Sequence, residues 1–392
     1  MKKRILFCFT SFQVGGVACS LMNLINVIHD KYEIDLLCFS NEGTLKEQVP
    51  DNVHILPTTQ WAAMLGDTQK LTIKKSRWRG FIRGLFMLYS RTIGSKVPMR
   101  LVLKTLPKLP HYDVAISFTH DPHFHVFAGG CNRYIIENVD ADIKATFVHC
   151  DYSRYGGNTQ ESRDLYAKFD YIACCSEGCK RIFDETVPAL VNKTIVVRNC
   201  FQYEDIEQKA TLFNADFDKD FFNIVTVCRL SPEKGLDKAM RTISEIHKKC
   251  PKVRWHIVGD GAEYQKLKEL QESMGMQDVV LFWGEQKNPY PYIKAANLFF
   301  LPSEHECAPM VFNESWAVGT PVLCTRTISV KEMIEEPQVG LVCEHTVDSM
   351  IEKLDYLLTH LDQLDEYRRN MDRQPQSNVK AEKEFEKLVK AI

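Results

Sequence analysis

At 392 residues, with 45% hydrophobic and 26% charged side chains, the chain has the make-up of a soluble globular protein and the length for two domains. A formal net charge of −2 argues against bulk nucleic-acid binding. The 14 cysteines are scattered without a CxxC pair, which argues against a disulfide scaffold or zinc ribbon and for free thiols in a reducing cytosol.

The N-terminus, Met1-Lys2-Lys3-Arg4 followed by ILFCF, has a signal peptide's charged region. Its apolar run is too short, so a first β-strand is expected there. No stretch approaches the ~20 apolar residues of a membrane span. Short apolar runs then alternate with helix-period segments, the pattern of parallel sheets with crossover helices. Strands are expected at Ile5–Phe9, Ile34–Phe39, Val53–Leu56, Val114–Phe118, Ala145–His149, Tyr171–Cys174 and Thr194–Val197. A mostly helical insertion occupies 59–110, and the polar stretch Cys200 to Asp220 reads as a linker. A second series follows at Phe222–Cys228, Val253–Gly259, Val279–Trp283, Leu298–Leu301, Val322–Thr325 and Val339–Cys343. Helices are expected at Leu236–Lys249, Glu263–Met274 and Val347–His360, and a charged amphipathic tail helix follows the PQSN break after Arg373. The expected fold class is α/β. Two doubly wound, Rossmann-like domains, 1–200 and 201–373, face each other across a cleft, and 374–392 packs back on the first.

Several short patterns carry chemistry. Gly15-Gly16 lies between the first strand and its helix, where glycine lets a backbone approach a ligand, although GxGxxG is absent. Lys70 to Lys104 holds ten Lys or Arg and no Asp or Glu, interleaved with Trp78, Phe81, Phe86, Met87 and Tyr89, which suits an anionic membrane surface. His120, His123 and His125 beside Asp121 lack the spacing of a known metal site and read as a surface loop. Asp140-Ala141-Asp142 is a chance match to a metal-binding DxD. His149 ends an apolar strand, where an imidazole can meet a sugar hydroxyl or developing charge.

The second half is more informative. Arg229 and Lys234 follow a strand in TVCRLSPEKG and are placed to clamp a diphosphate. Gly259-Asp260-Gly261 marks a tight strand-to-helix turn. In LFFLPSEHECAPMVFNESWAVGTPVLCT, Glu306 and Glu314 flank the start of a short helix that Pro309 opens and Gly319 closes. The N–H groups near Met310 and Val311 are then helix-terminal donors at the end of a parallel strand, where α/β sheets bind phosphates. Two carboxylates beside a phosphate site suit a ligand that carries hydroxyls as well.

In this order the motifs resemble retaining glycosyltransferases of family 4, which have the GT-B fold. The resemblance implies that Arg229 and Lys234 hold the diphosphate of a nucleotide-sugar donor and that Glu306 contacts the donor sugar. Glu314 would take the ribose hydroxyls, with backbone at Met310 and Val311 on sugar and phosphate. Phe282 to Gly284 would hold the base, His149 would approach the transferred sugar, and Gly15-Gly16 matches the family's first-strand turn. It further implies transfer with retention, a donor phosphate oxygen that takes the acceptor's proton, and no cofactor or required metal. The acceptor is expected to be a sugar or lipid-linked oligosaccharide at the inner membrane face, in envelope polysaccharide or glycolipid synthesis. Two other readings use the same fold: a nucleotide-sugar epimerase, which needs further acid and base groups in the cleft, and a non-catalytic partner of another transferase, which would be expected to lack the Arg, Lys and Glu set.

Overall fold

In the computed structural model, which describes residues 2–154, 156–374 and 376–390, the chain divides into two units. One comprises Met1–Phe201 with Asn378–Ile392, the other Gln202–Ser377.

The first unit is built on a 7-stranded sheet in the order β3-β2-β1-β4-β5-β6-β7. Its strands are β1 Arg4–Ser11, β2 Glu33–Ser40, β3 His54–Ile55, β4 Tyr112–Ser117, β5 Ala141–Val148, β6 Tyr171–Cys174 and β7 Thr194–Val196. Every pairing is parallel. Successive side chains point to opposite faces, and both faces are covered: Ile5, Phe7 and Phe9 enter one core, Leu6 and Cys8 the other. The C-terminal helix Val379–Lys390 closes the first of these cores with Ala381, Phe385, Leu388 and Val389. Phe385 stacks on Phe7 at 6.1 Å, and Glu384 pairs with Arg198.

The expected strand at Val53–Leu56 shrinks to His54–Ile55, although Leu56 N–H still donates to the Leu36 carbonyl at 2.8 Å. Between β3 and β4 lie the helices Ala63–Gly66, Gln69–Lys75, Arg77–Thr92 and Lys96–Leu103. Met64, Leu65, Met99, Val102 and Leu103 from this insertion are buried in the second core.

The second unit repeats the plan with a 6-stranded sheet, β10-β9-β8-β11-β12-β13. The strands are β8 Phe222–Val227, β9 Val253–Val258, β10 Val280–Gly284, β11 Leu298–Leu301, β12 Val322–Thr325 and β13 Gly340–Cys343, again all parallel. Trp255, Ile257 and Phe300 face one core; Val225, Phe299 and Leu301 face the other. The stretch read as a linker needs correction. It carries the helix Tyr203–Lys209, and Ala215 and Phe217 are buried in this unit's core, with Phe217 stacked on His256 at 3.6 Å. A polar composition concealed several buried apolar side chains, Phe201 and Ile206 also among them.

In both sheets the strand order reverses beside the first strand, at β1/β4 and at β8/β11. Crevices at such reversals, beyond the carboxyl ends of the strands, are where doubly wound sheets bind ligands.

Candidate active site

The reversal in the second unit brings together the loops after β8 and β11. Gly235, at φ +63, closes the first loop, and a Cβ there would collide with the Pro302 carbonyl oxygen. Only glycine lets the two backbones approach so closely. Glu304 N–H donates to the Glu233 carbonyl at 2.7 Å, a direct tie between the loops. Across them Lys234 Nζ donates to Glu306 Oε1 at 2.6 Å, with both side chains largely buried. Lys238 Nζ likewise donates to Glu304 Oε1 at 2.5 Å, and His345 Nδ1 lies 3.6 Å from the same carboxylate.

Arg229 is placed differently from Lys234. Its side chain is 75% exposed and donates to Glu233 Oε1 at 3.2 Å. An exposed pair of this kind is worth at most about 1 kcal/mol, so the guanidinium is free to swing.

The helix after β11 runs Met310–Ala317. Pro309 sits one place earlier than expected, as the residue before the helix, in extended conformation with φ −65 and ψ 122. Among the described residues no side chain caps this end, and Phe312 N–H donates to the Pro309 carbonyl at 3.2 Å. The N–H groups of Met310 and Val311 are left as open donors carrying the helix's positive end. At the other end Gly319, at φ +73, makes a Schellman stop: Thr320 N–H reaches the Ser315 carbonyl and Gly319 N–H that of Trp316, both at 3.0 Å.

Glu314 lies one turn inside this helix and is half-buried. Among the described residues no donor or cation meets its carboxyl, and burial alone pushes it up to about 7. Ser303, between β11 and Glu304, keeps a buried hydroxyl without a partner among the described residues. Unsatisfied buried polar groups are rare in folded proteins, and Ser303 Oγ is one, in the loop that leads to the open helix end.

Phe282 and Gly284 terminate β10. Phe282 packs against Tyr264 at 5.6 Å and Lys268 at 5.3 Å, so its ring serves the fold. Gly284, at φ +68, faces open space. The Gly259-Asp260-Gly261 turn is structural: a Cβ on either glycine would strike backbone oxygen of Cys228 or Leu230.

In the first unit, Gly15 is extended and precedes the helix Gly16–Ile28, and open space surrounds both glycines. His149 follows β5 and is stacked on Phe147 at 5.6 Å and near Phe118 at 4.9 Å. Burial and the neighbouring His120 push its imidazole down to about 3, and Nε2 has no partner among the described residues. Asp140 and Asp142 flank the opposite end of β5, where His111 bridges them at 3.0 and 3.3 Å. The surface-loop reading of the His120–His125 segment is refined. Asp121 Oδ1 accepts from Gly130 N–H at 2.6 Å at the start of the helix Cys131–Asn138, and burial raises its carboxyl to about 6.

Within the basic insertion, Arg83 is spent on the fold, donating to the carbonyls of Met64 and Asp67 at 2.9 Å each. Lys75 pairs with Asp67 and Glu42, and Arg100 with Glu137. Trp78, Phe81, Leu85 and Leu88 remain exposed along one side of the Arg77–Thr92 helix. No described helix is long and apolar enough to cross a membrane.

Sequence reasoning missed Lys238, Glu304, Ser303 and His345. Glu304 was visible two residues before Glu306, but nothing in the spacing paired it with Lys238.

Residues 207–376 match the family model "Glycosyl transferases group 1". An uncharacterized glycosyltransferase of Methanocaldococcus jannaschii is 29% identical over 168 residues, 41% of each chain. The lipopolysaccharide core biosynthesis glycosyltransferase LpsD of Rhizobium meliloti is 33% identical over 107 residues, 27% of this chain and 30% of that one. The curated relatives are therefore matched over less than half their length. Among solved structures, HepE from Anabaena in complex with UDP and glucose superimposes with a TM-score of 0.70 at 16% identity, covering 100% of both chains. WaaG, a glycosyltransferase involved in lipopolysaccharide biosynthesis, gives 0.64 at 14% identity, covering 99% and 100%. These likenesses and the two parallel sheets establish the GT-B fold.

Proposed function

From a GT-B chain whose residues 207–376 form a glycosyl transferases group 1 domain, we propose a retaining glycosyltransferase that takes its sugar from a nucleotide diphosphate. The observation that carries this reading is the Lys234–Glu306 pair at 2.6 Å, set beside a helix whose first N–H groups are open. The three N–H donors of an ammonium let Lys234 keep Glu306 and still accept a phosphate oxygen as partner. Arg229 swings from Glu233 to the same diphosphate, and Met310 and Val311 N–H complete the cradle.

Breaking the bond from the anomeric carbon to the phosphate oxygen sends negative charge to that oxygen and positive charge to the sugar ring. The cradle stabilises the first, and Glu306 lies close to the second. The acceptor hydroxyl attacks on the face the diphosphate leaves, and its proton passes to the departing phosphate oxygen. Glu314 accepts from the ribose hydroxyls, and backbone at the end of β10, by Gly284, meets the base. We assign His149, neutral at physiological pH, to the transferred sugar. The reaction requires no metal, and turnover persists in EDTA.

The acceptor is a sugar or lipid-linked oligosaccharide. The enzyme acts at the inner membrane face, with the Trp78-Phe81-Leu85-Leu88 side of its helix against anionic lipid, in envelope polysaccharide or glycolipid synthesis. Relatives named for lipopolysaccharide core biosynthesis support this setting.

A thermal-shift panel of nucleotide sugars, with UDP-sugars first because HepE was solved with UDP, tests the donor. The true donor at a hundredfold excess over Kd stabilises the fold by about 2.7 kcal/mol. Product anomers read by NMR then test retention. A panel without any stabilising nucleotide sugar sinks the reading.

A further inference from the structure

β13 is an edge of the second unit's sheet. The Val339 carbonyl accepts from Val322 N–H at 3.3 Å and the Cys343 carbonyl from Arg326 N–H at 2.8 Å, so these residues face β12. By the two-residue alternation of a strand, Gly340 and Val342 turn their N–H and C=O groups to the other side. No other described residue bonds to them. They line a groove of about 760 Å³.

Folded proteins usually block such an edge, because unpaired main chain invites another strand. Here Gly340 is half-buried and Val342 buried, yet both line the groove, whose far wall is formed by the helices Val347–Thr359 and Leu361–Arg373, and the lining is acidic. Glu335, Glu344, Glu352 and Glu366 line the groove against two cations, Arg326 and Lys353. Arg326 is held by Glu335 at 3.0 Å and Glu344 at 2.8 Å, and Lys353 by Glu352 at 2.8 Å. Among the described residues Glu366 meets only the amide of Gln363, which donates to it at 3.1 Å. A second copy of this chain would bring the same acidic excess to the joint and be repelled.

We propose that the open edge at Gly340 and Val342 takes an extended, basic polypeptide segment by strand addition. Main-chain hydrogen bonds supply the register, and the acidic excess selects Lys or Arg at alternate positions. Neither the donor site nor its reading enters this inference.

The probe is an acetylated, amidated octapeptide of alternating Lys and Val, titrated by fluorescence anisotropy onto the full chain. Controls are the same peptide N-methylated on alternate residues and its Glu-Val counterpart. Saturable binding that the N-methylated peptide loses by about tenfold or more is expected, because it keeps the charge and lacks the main-chain donors. The Glu352→Gln, Glu366→Gln double variant should bind several-fold more weakly, with a shallower salt dependence. Hydrogen exchange should show Gly340 and Val342 amides protected by the peptide. No binding of the Lys-Val peptide, equal binding of the N-methylated form, or protection arising from self-association instead would overturn the proposal.

Discussion

Replacing Glu314 by Gln should stabilise the empty protein and cripple donor binding, opposite effects from one atom change. Burial moves this carboxyl from 4.5 to about 7, and no described group offers it a hydrogen bond. The unfolded chain releases its proton near 4.5, whereas the folded chain holds it to about 7. The penalty is therefore absent below pH 4.5, grows between the two values and is complete above about 7. Its size follows from about 1.4 kcal/mol per pH decade, giving on the order of 2–3 kcal/mol once partial solvent access is allowed for. The Gln variant should match the parent near pH 4.5 and melt roughly 4–10 °C higher at pH 8. Donor affinity moves the other way. Loss of hydrogen bonds to a charged group, roughly 1.5–3 kcal/mol, corresponds to roughly 10- to 150-fold weaker binding. Melting curves across pH, with and without donor, read both effects. A Gln variant that is less stable than the parent at pH 8, or that binds donor normally, would refute the reasoning.

Lys234→Ala should lower kcat/KM at least tenfold and also destabilise the fold, because Glu306 is left as an unpaired, largely buried carboxylate; Arg229→Ala, at an exposed position, should lower kcat/KM about ten- to a hundredfold with little change in melting temperature. Gly235→Ala should cost about 1–3 kcal/mol and weaken donor binding, since its Cβ forces apart the loops after β8 and β11; normal donor affinity in the folded variant would separate the loop contact from the site. His256 is buried with its imidazole pushed down to about 4 by desolvation and by Arg254. Stability from this neutral histidine is full above its ordinary value near 6.5 and falls as pH drops towards 4, so urea denaturation at pH 7 and 5 should show the loss, and His256→Asn should reduce it. Charge reversal at Lys70, Lys74, Arg77 and Arg91 should abolish flotation with anionic liposomes; Lys75 and Arg83 are unsuitable because both hold the fold together.

Local pattern revealed the strands because buried parallel strands are short apolar runs, and it revealed the helix Met310–Ala317 because Pro309 and Gly319 bracket it. Long-range pairing was not legible. Lys234 and Glu306 lie 72 residues apart, and nothing in either segment marks one as the other's partner. Arg229 and Lys234 read alike in the sequence, whereas the structure leaves Arg229 75% exposed on Glu233 and pairs Lys234 with Glu306 in a largely buried position. Asp140-Ala141-Asp142, a chance match in the sequence, lies at the start of β5, and His149 follows the far end of that strand. Phe217 was hidden because the aromatics of its stretch, Phe201, Tyr203, Phe213 and Phe217, follow no strand or helix period. The open main chain of β13 was invisible, since edge position depends on strand order and not on the strand's own residues.

The most direct measurement is a crystal structure of the chain with a nucleoside diphosphate bound. The phosphates should lie within hydrogen-bond reach of Lys234 Nζ and of the Met310 and Val311 N–H groups, with the ribose hydroxyls on Glu314. Phosphates bound away from the start of that helix, with Lys234 still paired only to Glu306, would contradict the donor site derived from these residues.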